Sequence, residues 1–253
     1  MKTPTKKLYM AFLFALTLIG ASNVALANTE EVRLDTAPIN LRDLPSLQRG
    51  AKIFVNNCLN CHNAEYMRYS HLTQIGLSEE QIKKNLMFAT DKIADSMVTA
   101  LDAKDAKEWF GKVPPDLTLV ARVRGSDWVY TYLRSYYRDD TSATGWNNGV
   151  FKNVGMPHVL HELQGTQVLR QVGEKRGHDG HLVPVMKLAI DKPGTMTPPE
   201  YDAYVTDLVN FLTYMAEPAR TQRTQWGVIV LFFFVFAFFI TLWLKNEYWK
   251  DVQ

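Results

Sequence analysis

Cys58-Leu59-Asn60-Cys61-His62 gathers both cysteines of the 253-residue chain, and one of its six histidines, into five consecutive residues. On a helix, residues three and four apart share a face, so two thiols and an imidazole at this spacing can address one flat ligand from the same side. This is the C-x-x-C-H pattern of covalent c-type haem attachment. It assigns Cys58 and Cys61 to thioether bonds at the porphyrin edge and His62 to the proximal side of the iron, with one haem c per chain. A membrane-tethered thiol oxidoreductase, a structural disulfide or half of a zinc site would use the same residues differently. The first lacks the βαβ context of such dithiols, and the zinc reading lacks a second cysteine pair.

Upstream of the motif, Leu47, Ala51, Phe54 and Cys58 recur every three to four residues behind Pro45, which predicts a helix whose apolar face runs into the cysteines. A shorter helix is predicted from Ser78, capped reciprocally with Gln81, through Ile82 and Leu86. A third spans Ser126 to Tyr137, with Trp128, Tyr132, Leu133 and Tyr136 on one side. The fourth has the clearest start: Thr197 as cap, Pro198 at the first helical position and Glu200 completing a capping box. Tyr201, Tyr204, Leu208, Phe211, Leu212 and Met215 line its apolar face, and Pro218 ends it. Loops occupy 111–116 and 141–157, and Val168 to Ile190 reads as a hairpin around Gly177-His178-Asp179-Gly180. Residues 28–218 thus read as one all-α domain with long loops, in which the helix bearing Cys58 packs on the helix from Thr197 to Ala216.

At the start, Lys2, Lys6 and Lys7 precede an apolar run from Leu8 to Ile19, and Ala25-Leu26-Ala27 supplies a cleavage pattern, so 1–27 read as a signal peptide. That run is about 12 residues, short of the ~20 a spanning helix needs. Near the other end, 226–244 carries no charge and has Trp226 and Trp243 where interfacial aromatics belong, so it reads as one transmembrane helix after a linker at 219–225. Arg220 and Arg223 flank one side and Lys245 and Lys250 the other, which leaves orientation to the signal peptide. Export then places 28–218 in the periplasm, the anchor in the inner membrane and 245–253 in the cytoplasm. Removing the signal leaves 25 basic against 26 acidic side chains, without the basic surplus that binds nucleic acid.

The sixth iron ligand decides between electron transfer and small-molecule chemistry, because methionine opposite histidine raises the potential and fills the site. Met67 follows His62 too closely for the chain to round a haem, and Met215 lies on a packing face. Met156 and Met196 remain open. Gly155 and Pro157 favour Met156, since glycine permits close approach and proline stiffens the loop presenting the sulfur. His71, His158, His161, His178 and His181 read as ordinary surface histidines. Arg122 and Arg124 follow the turn Val113-Pro114-Pro115-Asp116 and suit a propionate.

Together these pieces resemble the cytochrome c1 family, the haem subunit of the quinol:cytochrome c oxidoreductase, in its compact bacterial form. The resemblance rests on Arg49-Gly50, on Cys58 to His62 followed by Asn63-Ala64-Glu65-Tyr66-Met67-Arg68-Tyr69-Ser70-His71-Leu72, and on Pro114-Pro115-Asp116-Leu117 leading to Arg122-Val123-Arg124. It rests also on Gly155-Met156-Pro157 and on Met196 to Pro218 before a single C-terminal span. It implies a cytochrome c-like haem domain with Met156 as axial ligand, Arg124 on a propionate, Trp109 and Trp128 by the haem edge, and Pro115 among the cofactor-binding residues. It also implies electron transfer from a Rieske iron–sulfur protein to a soluble cytochrome c or equivalent acceptor, beside cytochrome b, within a dimeric complex. An anchored c-type cytochrome of another respiratory chain would keep the haem and lose these partners. Residues 164–192 depart from the family pattern, and no strongly acidic stretch awaits a basic cytochrome c.

Overall fold

The computed structural model describes residues 33–176 and 181–251, so the signal-peptide reading of 1–27 and the 177–180 turn lie outside the described residues. Its helices are α1 (Leu44–Asn57), α2 (Glu79–Leu86), α3 (Ala103–Phe110), α4 (Val120–Val123), α5 (Ser126–Arg134), α6 (His161–Gln164), α7 (Pro198–Ala216) and α8 (Arg220–Tyr248), with a 3-10 segment at Tyr69–Ile75. Strands pair antiparallel in twos: β1 (Ala64–Arg68) with β2 (Ser96–Met97), β3 (Tyr136–Arg138) with β4 (Trp146–Asn148), and β5 (Gly165–Arg176) with β6 (Leu182–Pro193).

Helix α1 starts where the Asp43 carboxylate accepts from Ser46 N (3.1 Å), with Pro45 in the first turn, where no partner for its missing N–H is needed. Its buried face, Leu47, Ala51 and Phe54, meets Leu208, Phe211 and Met215 of α7 in one continuous core. Glycine at 50 is what lets the two backbones cross closely. A Cβ there would stand 2.6 Å from Phe211 Cβ and collide with the Asp207 carbonyl oxygen. Beside the crossing, Arg49 grips the Asp207 carboxylate with two bonds, Nε–Oδ2 at 2.6 Å and Nη2–Oδ1 at 2.9 Å. Helix α7 begins as the sequence suggests: the Glu200 carboxylate accepts from Thr197 N (2.8 Å) and from the Thr197 hydroxyl (2.7 Å). The reciprocal cap of α2 is present too, at 2.8 and 3.2 Å.

Helix α5 packs on α7, and Arg134 at its end ties three segments together. Its guanidinium binds Asp202 of α7 (2.6 Å) and Asp35 of the N-terminal segment (2.7 Å), and lies 4.5 Å from the Tyr130 ring centroid. That segment also gives Ala37 N to Asp127 Oδ1 (2.8 Å) and Asn40 N to Asn210 Oδ1 (3.1 Å), so extended chain is stitched onto α5 and α7.

The structure corrects the all-α reading, because the long loops contain three small sheets. The predicted third helix stops at Arg134. Its last turn is redirected when Gly149 N bonds Ser135 O (2.9 Å) and Tyr136–Arg138 pair with Trp146–Asn148, so Tyr136 packs from a strand. The hairpin is longer than predicted, with Thr166 opposite Lys192 and Arg176 opposite Leu182. Helix α3 was not predicted from the sequence, although its signals are present: Asp102 caps Lys104 N (2.7 Å), and Gly111 closes the end at φ +75°.

Helix α8 starts at Arg220, so the stretch read as a linker is helical from its second residue. Its apolar part, Gln225–Tyr248, is 24 residues with none of its most apolar window buried against protein. At 1.5 Å per residue it is about 36 Å long, enough to cross hydrocarbon, and the apolar surface left bare by protein suits a lipid environment.

Candidate functional site

The Cys58–His62 segment is not a continuation of α1 but a tightened turn at its end. Cys58 N and Leu59 N both bond Phe54 O (2.9 and 3.0 Å), then Cys61 N and His62 N both bond Cys58 O (3.1 and 2.9 Å). The motif is therefore folded by its own backbone. Both thiols are unpaired and part-exposed. Although Cys58 keeps some exposed surface, packing against the core desolvates its thiol and, with a smaller push from Cys61, raises it to about 12, the opposite of what a reactive dithiol requires.

His62 is held from far along the chain, its Nδ1 lying 2.7 Å from the Pro115 carbonyl oxygen. A carbonyl can only accept, so Nδ1 carries the proton and Nε2 is left with a free lone pair, as a metal-binding imidazole needs. Burial draws His62 below the usual histidine range, against the pull of the Pro115 carbonyl and Asp116, which keeps the ring neutral. Asn63 fastens the same strip: its carbonyl accepts Leu117 N (2.8 Å) and its Oδ1 accepts Thr99 N (2.9 Å).

Met156 stands on a second wall, partly buried against Tyr136, Trp146 and Val154. The loop that presents it is organised by two buried asparagines. Asn148 Oδ1 accepts Val150 N (2.9 Å) and Phe151 N (3.1 Å) while its amide donates to Tyr132 O (2.8 Å). Asn147 Oδ1 accepts Asn153 N (2.8 Å), holding that residue at φ +58°. Trp128 stacks on Tyr132 (centroids 4.9 Å, interplanar 11°) and meets Phe151 edge-on. The Arg124 guanidinium lies 5.1 Å from the Trp128 centroid and 6.0 Å from that of Phe151.

The two walls meet. A Cβ on Gly155 would sit 3.3 Å from Lys112 Cε, so the loop carrying Met156 touches the segment leading into Pro115. Cys58, Trp128, Tyr132 and Met196 all rest on the same core. Met196 is set at the start of α7, its N–H bonded to Leu163 O (3.1 Å). Arg122 turns to Glu217 (3.8 Å), which also pairs with Arg223 at the base of α8. Trp109 is exposed on α3, edge-on to Phe110 (6.5 Å), and the described ring contacts do not join it to Trp128. Phe151 and the Asn147–Asn148 pair escaped sequence reasoning, and Tyr132 was read only as part of the apolar side of its helix. An adjacent asparagine pair before Gly149 was the available signal, being turn chemistry ahead of a glycine.

The residues fit a covalently attached haem. Two free thiols precede an imidazole whose Nε2 is set free by Pro115, a thioether stands on the adjoining wall, and among the described residues Arg124 has no carboxylate partner. The family model described as the Cytochrome C1 family matches residues 36–252. The chain is 46% identical over 242 residues to cytochrome c1 of Allochromatium vinosum, covering 95% of this chain and 98% of that one. It is 47% identical over 238 residues to the ammonia monooxygenase gamma subunit of Nitrosomonas europaea, covering 94% and 97%. It is also 23% identical over 283 residues to the cytochrome b/c1 of Bradyrhizobium diazoefficiens, covering 94% of this chain but 39% of that polypeptide.

Proposed function

The chain belongs to the cytochrome c1 family, and from that premise we propose that it takes single electrons from a Rieske iron–sulfur protein and passes them to a soluble cytochrome c within a dimeric complex. Membership makes it the electron-transfer haem subunit of a cytochrome bc1 complex, a membrane-anchored companion of cytochrome b that carries covalently bound haem c. When bound, that group supplies reversible one-electron iron chemistry.

The chain's own side chains do the holding and tuning. Cys58 and Cys61 would fasten the porphyrin edge, His62 would offer Nε2, and Met156 would offer its sulfur from the adjoining wall. Arg124, lying over Trp128 and Phe151, would meet a propionate. The observation that carries the site is the 2.7 Å contact from His62 Nδ1 to Pro115 O, which fixes the tautomer a ligand must have. The haem domain faces the periplasm, α8 crosses the inner membrane, and 245–253 lie in the cytoplasm; the signal reading of 1–27 and the bare apolar surface of Gln225–Tyr248 support that orientation.

The test is purification of the native complex. Cytochrome b and a Rieske protein should accompany the chain, and pyridine haemochrome spectroscopy after denaturation should give one covalent haem. Copurification with a terminal oxidase alone would assign it to another respiratory chain, and a colourless chain with both thiols titratable would overturn the site.

A further inference from the structure

Two tyrosine hydroxyls stand in line with the Met156 sulfur. Tyr132 Oη lies 3.5 Å from Met156 Sδ and 2.5 Å from Tyr136 Oη. A thioether sulfur can only accept, so the Tyr132 proton is directed to it, and the Tyr132 oxygen in turn takes the Tyr136 proton. Both rings are immobilised. Tyr132 is stacked against Trp128, Tyr136 meets Tyr132 edge-on at 5.3 Å, and Tyr136 stacks face to face on His158 at 4.8 Å. Tyr136 is 1% exposed, so its hydroxyl is kept from water. In so dry a setting, one hydrogen bond strengthens the next along the line.

A thioether sulfur has two lone pairs, so it can give one to a metal while accepting a hydrogen bond on the other. We propose that Tyr132, backed by Tyr136, is a positioning residue that donates a hydrogen bond to the Met156 sulfur, orienting it and limiting the electron density it gives to the haem iron. This rests on the reading of Met156 as axial ligand. Density drawn towards the hydroxyl is withheld from the metal, which disfavours the oxidised state more than the reduced one and raises the potential. The assignment also gives the aromatic layer of α5 a purpose beyond packing: Trp128 fixes the plane of the ring whose hydroxyl makes the bond.

The experiment uses the full chain, matured with haem in its membrane complex, as wild type, Tyr132→Phe, Tyr136→Phe and Met156→Leu. Met156→Leu is expected to lose the weak far-red sulfur-to-iron charge-transfer band and to bind carbon monoxide. Tyr132→Phe preserves the ring stack, so it should keep the band and refuse carbon monoxide, yet shift the band and lower the midpoint potential. The expected fall is about threefold in the reduction equilibrium constant, or about 30 mV at 59 mV per tenfold. Tyr136→Phe should give a smaller shift in the same direction. If Tyr132→Phe keeps the wild-type potential and band while Met156→Leu binds carbon monoxide, the tyrosine role is overturned and the ligand reading survives. If Met156→Leu keeps the band and refuses carbon monoxide, both fall together.

Discussion

The two walls of the haem site are built in opposite ways. The His62 wall takes its thiols and imidazole from five consecutive residues folded by their own backbone, with a single carbonyl from Pro115 brought in to set the tautomer. The Met156 wall takes one sulfur, packs it against Tyr132, Tyr136, Trp146 and Val154, and backs that layer with Arg124 on Trp128, Trp128 on Tyr132, and the loop-holding amides of Asn147 and Asn148. Covalent attachment tolerates a modest scaffold because bonds, once made, do the holding. A thioether ligand, the role proposed for Met156, has no such insurance and would depend on packing and buried hydrogen bonds for its position.

The largest expected effect tests that asymmetry directly. Cys58→Ala combined with Cys61→Ala should abolish covalent haem in the pyridine haemochrome assay, whereas Met156→Leu should leave haem content intact. Equal loss from both would break the comparison. Next in size is a contrast between two asparagines. Asn148 is fully buried and bonded to three backbone groups, so Asn148→Ala should cost about 3 kcal/mol in denaturant unfolding and render the iron reactive to carbon monoxide. Asn60, whose amide reaches only the Asn56 carbonyl at the exposed turn of the motif, should change stability by less than about 0.5 kcal/mol when replaced by alanine.

A smaller effect probes the support beneath the motif. Gly50→Ala forces a methyl against Phe211 Cβ, 2.6 Å away, and should destabilise by about 2 kcal/mol while haem attachment persists. The smallest effect lies at the start of α7. Thr197, through its hydroxyl and then its N–H, holds the Glu200 carboxyl below its ordinary value of 4.5. A carboxyl with a depressed folded value stabilises above its unfolded pKa and loses that contribution as pH falls through the folded one. Glu200→Gln should therefore lower the Tm slightly at about pH 7 and converge on wild type towards about pH 3. A gap that persists in acid would mean that packing, not the charged cap, starts the helix.

Much of this was legible beforehand where interactions are short in sequence. The Thr197–Glu200 cap, the Ser78–Gln81 cap and the apolar stripe of α1 span three or four residues, and each is present. Helix α3 could have been read from Asp102 and Gly111 on the same grounds. Tyr136 could not: its spacing fits the apolar side of α5, yet the chain leaves helix at Arg134 because β4 offers its backbone a better partner. Arg122 and Arg124, two residues apart and alike in sequence, part company only in space, one turning to Glu217 and the other onto Trp128.

Residue order alone pointed to covalent haem c and to a membrane anchor, since a five-residue attachment motif and an uncharged apolar run near the C-terminus declare themselves through spacing and solubility. Folding in three dimensions decided which distant residues stand beside the motif and beside Met156. Pro115 against His62, Lys112 against Gly155 and Tyr132 against Met156 join residues 53, 43 and 24 positions apart. Contacts of that kind depend on where whole helices and loops pack, and no local pattern of residue types encodes them.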